Sequence, residues 1–163
     1  MNVFQLRKRL RQKEEDDLPA EVEVRSFAPS TDIERWLQLR NAEFKDEKHP
    51  VRPWTAADFA LEMTSRPWRR DDRCWLAFAN DQCVRSVTLA MRRDVPVVHW
   101  LMVHPDWRRR GIARALLATL EQAAWDDGYR EVHLETHAGW QAALACYQKL
   151  GYEEVIRTRR PST

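Results

Sequence analysis

Residues 95–103 read VPVVHWLMV, a stretch with a single polar side chain. A run this short and this apolar has no wet face, so it suits a strand buried on both sides of a sheet. Such a strand needs a partner along each edge and a layer over each face, which restricts the chain to a sheet flanked by helices. The neighbouring sequence supplies those parts. Cys74–Ala79 and Cys83–Met91 read as strands joined through Asn80–Asp81, and Arg93–Asp94 makes a second turn into residues 95–103. Beyond them a helix carries Ile112, Leu116, Leu117 and Leu120 on one face and ends at Gly128. Glu131–Thr136 is a strand, Trp140–Leu150 a helix capped by Gly151, and Tyr152–Arg159 a last strand. This strand–helix–strand–helix–strand series predicts parallel pairing through right-handed crossovers.

The first half reads less regularly. Glu21–Phe27 alternates apolar and charged residues as a half-buried strand does. Thr31 with Glu34 forms a capping-box pattern ahead of a helix that reaches Phe44. Thr55 with Asp58, between Trp54 and Phe59, opens a second helix over 55–65 that stops before Pro67. Residues 1–19 run from basic to acidic, with Val3, Leu6 and Leu10 at helical spacing, and read as a charged tail with the option of a short helix. The expected fold is α/β in one domain over residues 20–163, an antiparallel meander followed by a parallel β-α-β-α-β series in a mixed sheet.

Composition narrows the class. Apolar residues make up 44% of 163, enough for a core without disulfides. Lys plus Arg number 27 against 25 Asp plus Glu, a net charge of +2, which argues against a dedicated nucleic-acid binder. No apolar run reaches the roughly 18–20 residues of a membrane span, and the N-terminal stretch lacks a signal-peptide core, so a cytoplasmic protein with no membrane partner is expected. Cys74, Cys83 and Cys146 are odd in number and irregular in spacing, which fits neither a disulfide framework nor a zinc ligand set.

The segment His104-Pro-Asp-Trp-Arg-Arg-Arg-Gly-Ile-Ala113 joins the buried strand to a helix and holds Gly111, one of four glycines in the chain. A glycine there lets the backbone approach a ligand closely, and N–H groups at a helix start are unpaired and partly positive. With Arg108, Arg109, Arg110 and Arg114 around it, this is an anion site in outline, although the spacing also suits an arginine-rich loop in solvent. It is neither a Walker loop nor a dinucleotide fingerprint.

Arg108-Arg109-Arg110-Gly111-Ile112-Ala113 resembles the [Q/R]-x-x-G-x-[G/A] acyl-CoA signature of the GCN5-related N-acetyltransferase family. Val103-His104-Pro105-Asp106-Trp107 resembles its usual lead-in, and Ala143 to Tyr152 follows its A-x-x-x-Y-x-x-x-G-[FY] pattern. The resemblance implies acetyl-CoA as acyl donor, with its pyrophosphate on the N–H groups of Arg109–Arg114 and its pantetheine arm beside Leu101, Met102 and Val103. It also implies that strands 95–103 and 131–136 splay to admit that arm. It places Tyr147 where the family has its thiolate acid.

Acyl transfer to an amine needs a base for the amine, donors for the oxyanion and a proton for the departing thiolate. A phenol is protonated at neutral pH and can supply that proton, although Trp140, Leu144 and Tyr147 share a helical face and packing alone would also place Tyr147 there. Glu135 is the base candidate: alternation sets His133, Glu135 and His137 on one face of their strand and Val132 and Leu134 on the other. Glu135 precedes Tyr147 by a spacing similar to that in ribosomal-protein N-terminal acetyltransferases, where the corresponding Glu acts as base. A solvated strand-end carboxylate fits the same pattern. His-x-Glu-x-His lacks the further ligands of a zinc site, so no metal is expected. His99 and His104 flank the cofactor strand and are secondary candidates for moving a proton.

Two departures from the family pattern stand out. Trp140 occupies a position where the family often has an Asn that contacts CoA. The chain also ends near Thr163, so the usual last strand is expected to be missing, leaving the acceptor side open or completed by a partner chain, for example in a homodimer. The region around residues 40–70 governs the acceptor by the same resemblance, and Glu43, Asp46 and Glu47 could attract a cationic amine. Stretches between His49 and Phe78 weakly resemble mycothiol-synthase-like acetyltransferases. The expected function is N-acetylation of a small-molecule amine or of a protein N-terminus or lysine. The alternative is a non-catalytic acyl-CoA-binding or regulatory module docking through residues 1–19.

Overall fold

The computed structural model describes residues 3–12, 23–45, 51–108, 112–137 and 141–155. Seven strands form one mixed sheet: β1 (Val3–Arg9), β2 (Glu23–Ser26), β3 (Cys74–Ala79), β4 (Gln82–Arg92), β5 (Val95–Val103), β6 (Glu131–His137) and β7 (Glu153–Glu154). Their spatial order is β2-β3-β4-β5-β6-β1-β7. Helix α1 (Pro29–Glu43) and the short α2 (Ala56–Phe59), continued by a wider turn over Ala60–Thr64, pack on one face. Helices α3 (Ile112–Asp126) and α4 (Gln141–Lys149) pack on the other. The α/β fold with an antiparallel meander and a parallel β5-α3-β6 unit is as expected.

Local chemistry explains most element boundaries. Asn80–Asp81 and Arg93–Asp94 all take positive φ, the backbone that two-residue hairpin turns require. Gly128 and Gly151, both at φ +93, end α3 and α4 in the left-handed conformation that glycine adopts without steric cost. Asp58 accepts the Thr55 N–H at 2.7 Å and opens α2. The capping box expected from Thr31 and Glu34 does not form. Helix α1 begins earlier, at Pro29, and the buried Asp32 carboxylate takes the Ala28 N–H at 2.7 Å while Arg25 grips it at 2.6 and 2.8 Å. Arg25 outbids the capping pattern because a buried carboxylate is costly without a charged partner.

The larger correction concerns the N-terminus. Residues 3–9 are neither a tail nor a short helix but a strand, paired antiparallel with all of β6 and, on its other edge, with β7. Leu6 is fully buried and Leu10 nearly so, both in the core beneath α3 and α4. On this side of the sheet the chain's own first strand lies between β6 and β7. Residues 13–22 lie outside the described residues, as do the acidic part of the expected tail and the end of the last strand from residue 156.

Candidate active site

Strand β5 is laddered along one edge and largely unpartnered on the other. Against β4 it pairs from Val95 to Val103, but among the described residues a single parallel pair, Val97 with His133, joins it to β6. Beyond that pair the two strands part. The cause lies in β5: between Met102, opposite Ser86, and His99, opposite Thr88, β5 carries one residue more than β4. An extra residue of this kind bends and twists its strand. Trp100 sits at the bulge with φ +49, a strained backbone for a bulky residue. Its ring is held edge-on against Trp36, Trp54, Phe44 and His99 at centroid distances of 5.1–6.2 Å. Each such aromatic contact contributes about 0.5–1.5 kcal/mol, enough together to offset the strain.

The parting opens a cleft of about 370 Å³ whose walls include Phe44, Trp100, Leu101, Glu135, Thr136 and Tyr147. Val103 turns its N–H toward the gap, since the neighbouring His104 N–H reaches Val84 O of β4 at 2.7 Å and alternate positions of the ladder face opposite ways. The Val103 N–H is taken by the Glu43 carboxylate from the end of α1. Glu43 is thus more than a candidate attractor of amines: it caps an exposed strand edge. Met102 points its side chain into the core beneath α1 and offers the cleft main chain alone.

Tyr147 projects from α4 beside Tyr152, with ring centroids 6.1 Å apart. Burial foremost, then the nearby Cys146 and Glu43, pushes its hydroxyl up to about 12, so it stays a proton donor across the neutral range. Glu135 lies on the opposite face of β6 from Leu134, partly exposed. Its Oε1 accepts both the Arg92 guanidinium at 2.6 Å and the Gln5 amide at 3.3 Å; among the described residues no donor reaches Oε2. Thr136 is buried at the cleft, and among the described residues its hydroxyl has no partner.

The turn after β5 is built by side chains. His104 Nδ1 accepts the Asp106 N–H at 3.2 Å, and Arg85, buried at 3% exposure, donates to the Trp107 carbonyl at 2.5 Å. Burial pulls the Arg85 guanidinium down to about 10, which still leaves it charged at neutral pH. A buried cation therefore underlies the turn that leads to α3. Arg108 is exposed and Ala113 and Arg114 stand in or near the first turn of α3; Arg109, Arg110 and Gly111 lie outside the described residues, as does Trp140. His99 is packed rather than poised. Burial, reinforced by Arg92 and Arg66, pushes it down to about 4, and Trp68 meets its ring edge-on at 5.2 Å. His133 is tied to Glu131 at 2.5 Å. Cys74, Cys83 and Cys146 are free thiols. No helix among the described residues is long and apolar enough to cross a membrane.

Sequence reasoning missed Arg92, Gln5 and Thr136. Arg92 and Gln5 reach Glu135 from strands distant in sequence, and no local pattern marks them. Alternation along Glu131–Thr136 did place Thr136 opposite Glu135, but a lone hydroxyl gave no signal of lacking a partner.

Residues 33–152 match the model of the acetyltransferase (GNAT) family. An acetyltransferase of Pectobacterium atrosepticum is 34% identical over 106 residues, which span 64% of this chain and 73% of that protein. A mycothiol acetyltransferase of Nocardiopsis dassonvillei is 28% identical over 80% of this chain but only 42% of its own length. Among solved structures, a GCN5-related N-acetyltransferase from Sphaerobacter thermophilus superposes with a TM-score of 0.77 at 22% identity, covering 94% of this chain and 48% of that one.

Proposed function

The chain belongs to the acetyltransferase (GNAT) family and is an acyl-CoA-dependent N-acyltransferase; from that premise we propose that it moves an acetyl group from acetyl-CoA to a primary amine by direct transfer within a ternary complex. The observation that carries the reading is the cleft itself: among the described residues β5 leaves β6 after one pair, and a neutral, half-buried phenol and a carboxylate whose Oε2 meets no donor line the gap. The edge of β5 that faces the gap offers main chain around Leu101, beside the Val103 N–H that Glu43 already holds, the kind of surface an amide-bearing arm can pair with as a strand would. The turn over the buried Arg85 and the start of α3 suit a diphosphate, which Arg108 and Arg114 would draw in and Arg109, Arg110, Gly111, Ile112 and Ala113 would hold through main chain.

In this reading Glu135 takes the ammonium proton at Oε2, directly or through water, while Gln5 and Arg92 hold Oε1 and fix the carboxylate. Tyr147 gives its proton to the sulfur as the carbon–sulfur bond breaks and the carbon–nitrogen bond forms. The Thr136 hydroxyl is a donor available to the carbonyl oxygen as charge builds there. Of the segment invoked for docking in the alternative reading, residues 3–9 are a strand within the sheet.

The test is thiol release from acetyl-CoA across a panel of amines and peptide N-termini, with calorimetry for the donor. We expect acetyl-CoA binding in the absence of acceptor and thiol release when an acceptor is added. Absence of binding would overturn the reading.

A further inference from the structure

The cleft beside Glu135 does not end there. It runs on along the face of the sheet that α1 and α2 leave bare, into a hollow of about 620 Å³ lined by Gln5, Arg92, Arg93, Val95, Val97 and His133. Arg92, Val97, Leu134 and Glu135 line both spaces, so whatever enters the hollow reaches the candidate base.

The charges in this hollow are unbalanced. Among the described residues that line it, Arg92 and Arg93 stand against a single carboxylate, Glu135; nearby, Glu131 is engaged with His133 and Asp94 is exposed in the turn. Among the described residues no carboxylate pairs with Arg93. Its backbone position makes that side chain harder to dismiss as turn filler: Arg93 sits at φ +50 in a two-residue hairpin turn, where Asn or Gly is the comfortable choice. The Arg92–Glu135 pair is solvent-exposed on both sides, at 65% and 38%, and pairs of that kind are weak enough for a ligand to open.

These features select among amines. A bare or polycationic amine approaching Glu135 meets two guanidinium groups and net repulsion. An amine that carries its own carboxylate satisfies both signs at once. The spacing is set as well: Arg92 Nη1 stands 2.6 Å from Glu135 Oε1, so the ligand's two charges must be neighbours, as in an α-amino acid. Val95 and Val97 supply an apolar floor beside them.

We propose that the acceptor is an α-amino acid or an amino-acid conjugate with a free carboxylate, its ammonium on Glu135 and its carboxylate on Arg92 and Arg93. This rests on the assignment of the Glu135 cleft as the acceptor side of an acetyl transfer. The experiment measures thiol release with acetyl-CoA on matched pairs: phenylalanine and phenethylamine, leucine and 3-methylbutylamine, cysteine and cysteamine, with kanamycin as the polycation. The expected result is a kcat/KM at least about tenfold higher for the carboxylate-bearing member of a pair, and little turnover of kanamycin. Arg93→Asn, which suits the left-handed backbone, should raise KM for the amino acid about tenfold and lower, rather than raise, KM for the decarboxylated partner, from which one repelling charge has been removed; Arg93→Lys should restore most of the preference. Equal or reversed preference within the pairs, or an equal loss on both members in Arg93→Asn, overturns the proposal while leaving acetyl transfer intact. Thiol release from no amine at all, with peptides included, overturns the transfer reading and this one with it.

Discussion

Strand β5 meets β4 and β6 on its two edges, and the two contacts could hardly differ more. Toward β4 it is laddered from Val95 to Val103 around one bulge, and the meander beyond is sealed by α1 and α2 over a buried aromatic core. Toward β6 it makes one parallel pair and departs, with a strained Trp100 at the point of bending. The first edge spends its main-chain groups on the fold. The second is left facing a cleft, and Leu101, Glu135, Thr136 and Tyr147 line it. What the contrast teaches is that the sealed half supplies the rigidity that lets the other half stay open.

An open edge between β5 and β6 is tolerable only if β6 is anchored elsewhere, and β1 provides that anchor. Removing residues 1–12 should therefore have the largest effect of any change considered, abolishing the cooperative thermal transition. Leu6→Ala alone should cost about 2–5 kcal/mol in urea unfolding. A truncated chain that melts at the full-length temperature would mean β6 holds its place without β1.

On the open side, Tyr147→Phe should lower turnover by roughly 10²-fold or more while acetyl-CoA affinity stays within about twofold. Turnover that is unaffected would move the acid role off α4. Glu135→Gln should reduce turnover less steeply, by roughly 10-fold or more; unchanged turnover would place the base elsewhere. Since burial holds the Tyr147 hydroxyl near 12, no loss of rate from this group is expected below about pH 11.

A pH dependence tests the sealed half. His99 titrates at about 4 in the fold against about 6.5 unfolded, so the unfolded chain binds the proton first. Stability should be full above pH 6.5 and fall toward pH 4 by up to about 1.4 kcal/mol per pH unit from this group. His99→Phe should flatten that part of the slope, and an unaltered slope would mean the ring is not shielded as its neighbours suggest.

Much of the sealed half could be read from sequence, because its determinants are local: turn residues at 80–81 and 93–94, the Thr55–Asp58 pair, and the unbroken apolar run of β5. The candidate site was legible as far as local pattern carried it. Alternation along β6 placed Glu135 opposite Val132 and Leu134, and the motif around Tyr147 marked α4. What could not be read depended on distant partners. Val3, Leu6 and Leu10 at helical spacing made residues 1–19 read as a charged tail with the option of a short helix, but residues 3–9 lie between β6 and β7, and the edges of those strands decide their conformation. Arg92 and Gln5 belong to the site for the same reason: tertiary pairing brings them to Glu135.

The most direct measurement is amide hydrogen exchange with and without acetyl-CoA. Added ligand should slow exchange across residues 100–116 and 134–137 and leave β3 and the paired length of β4 unchanged. Protection that spreads evenly over the sheet, or that bypasses the unpaired edge of β5, would contradict the account.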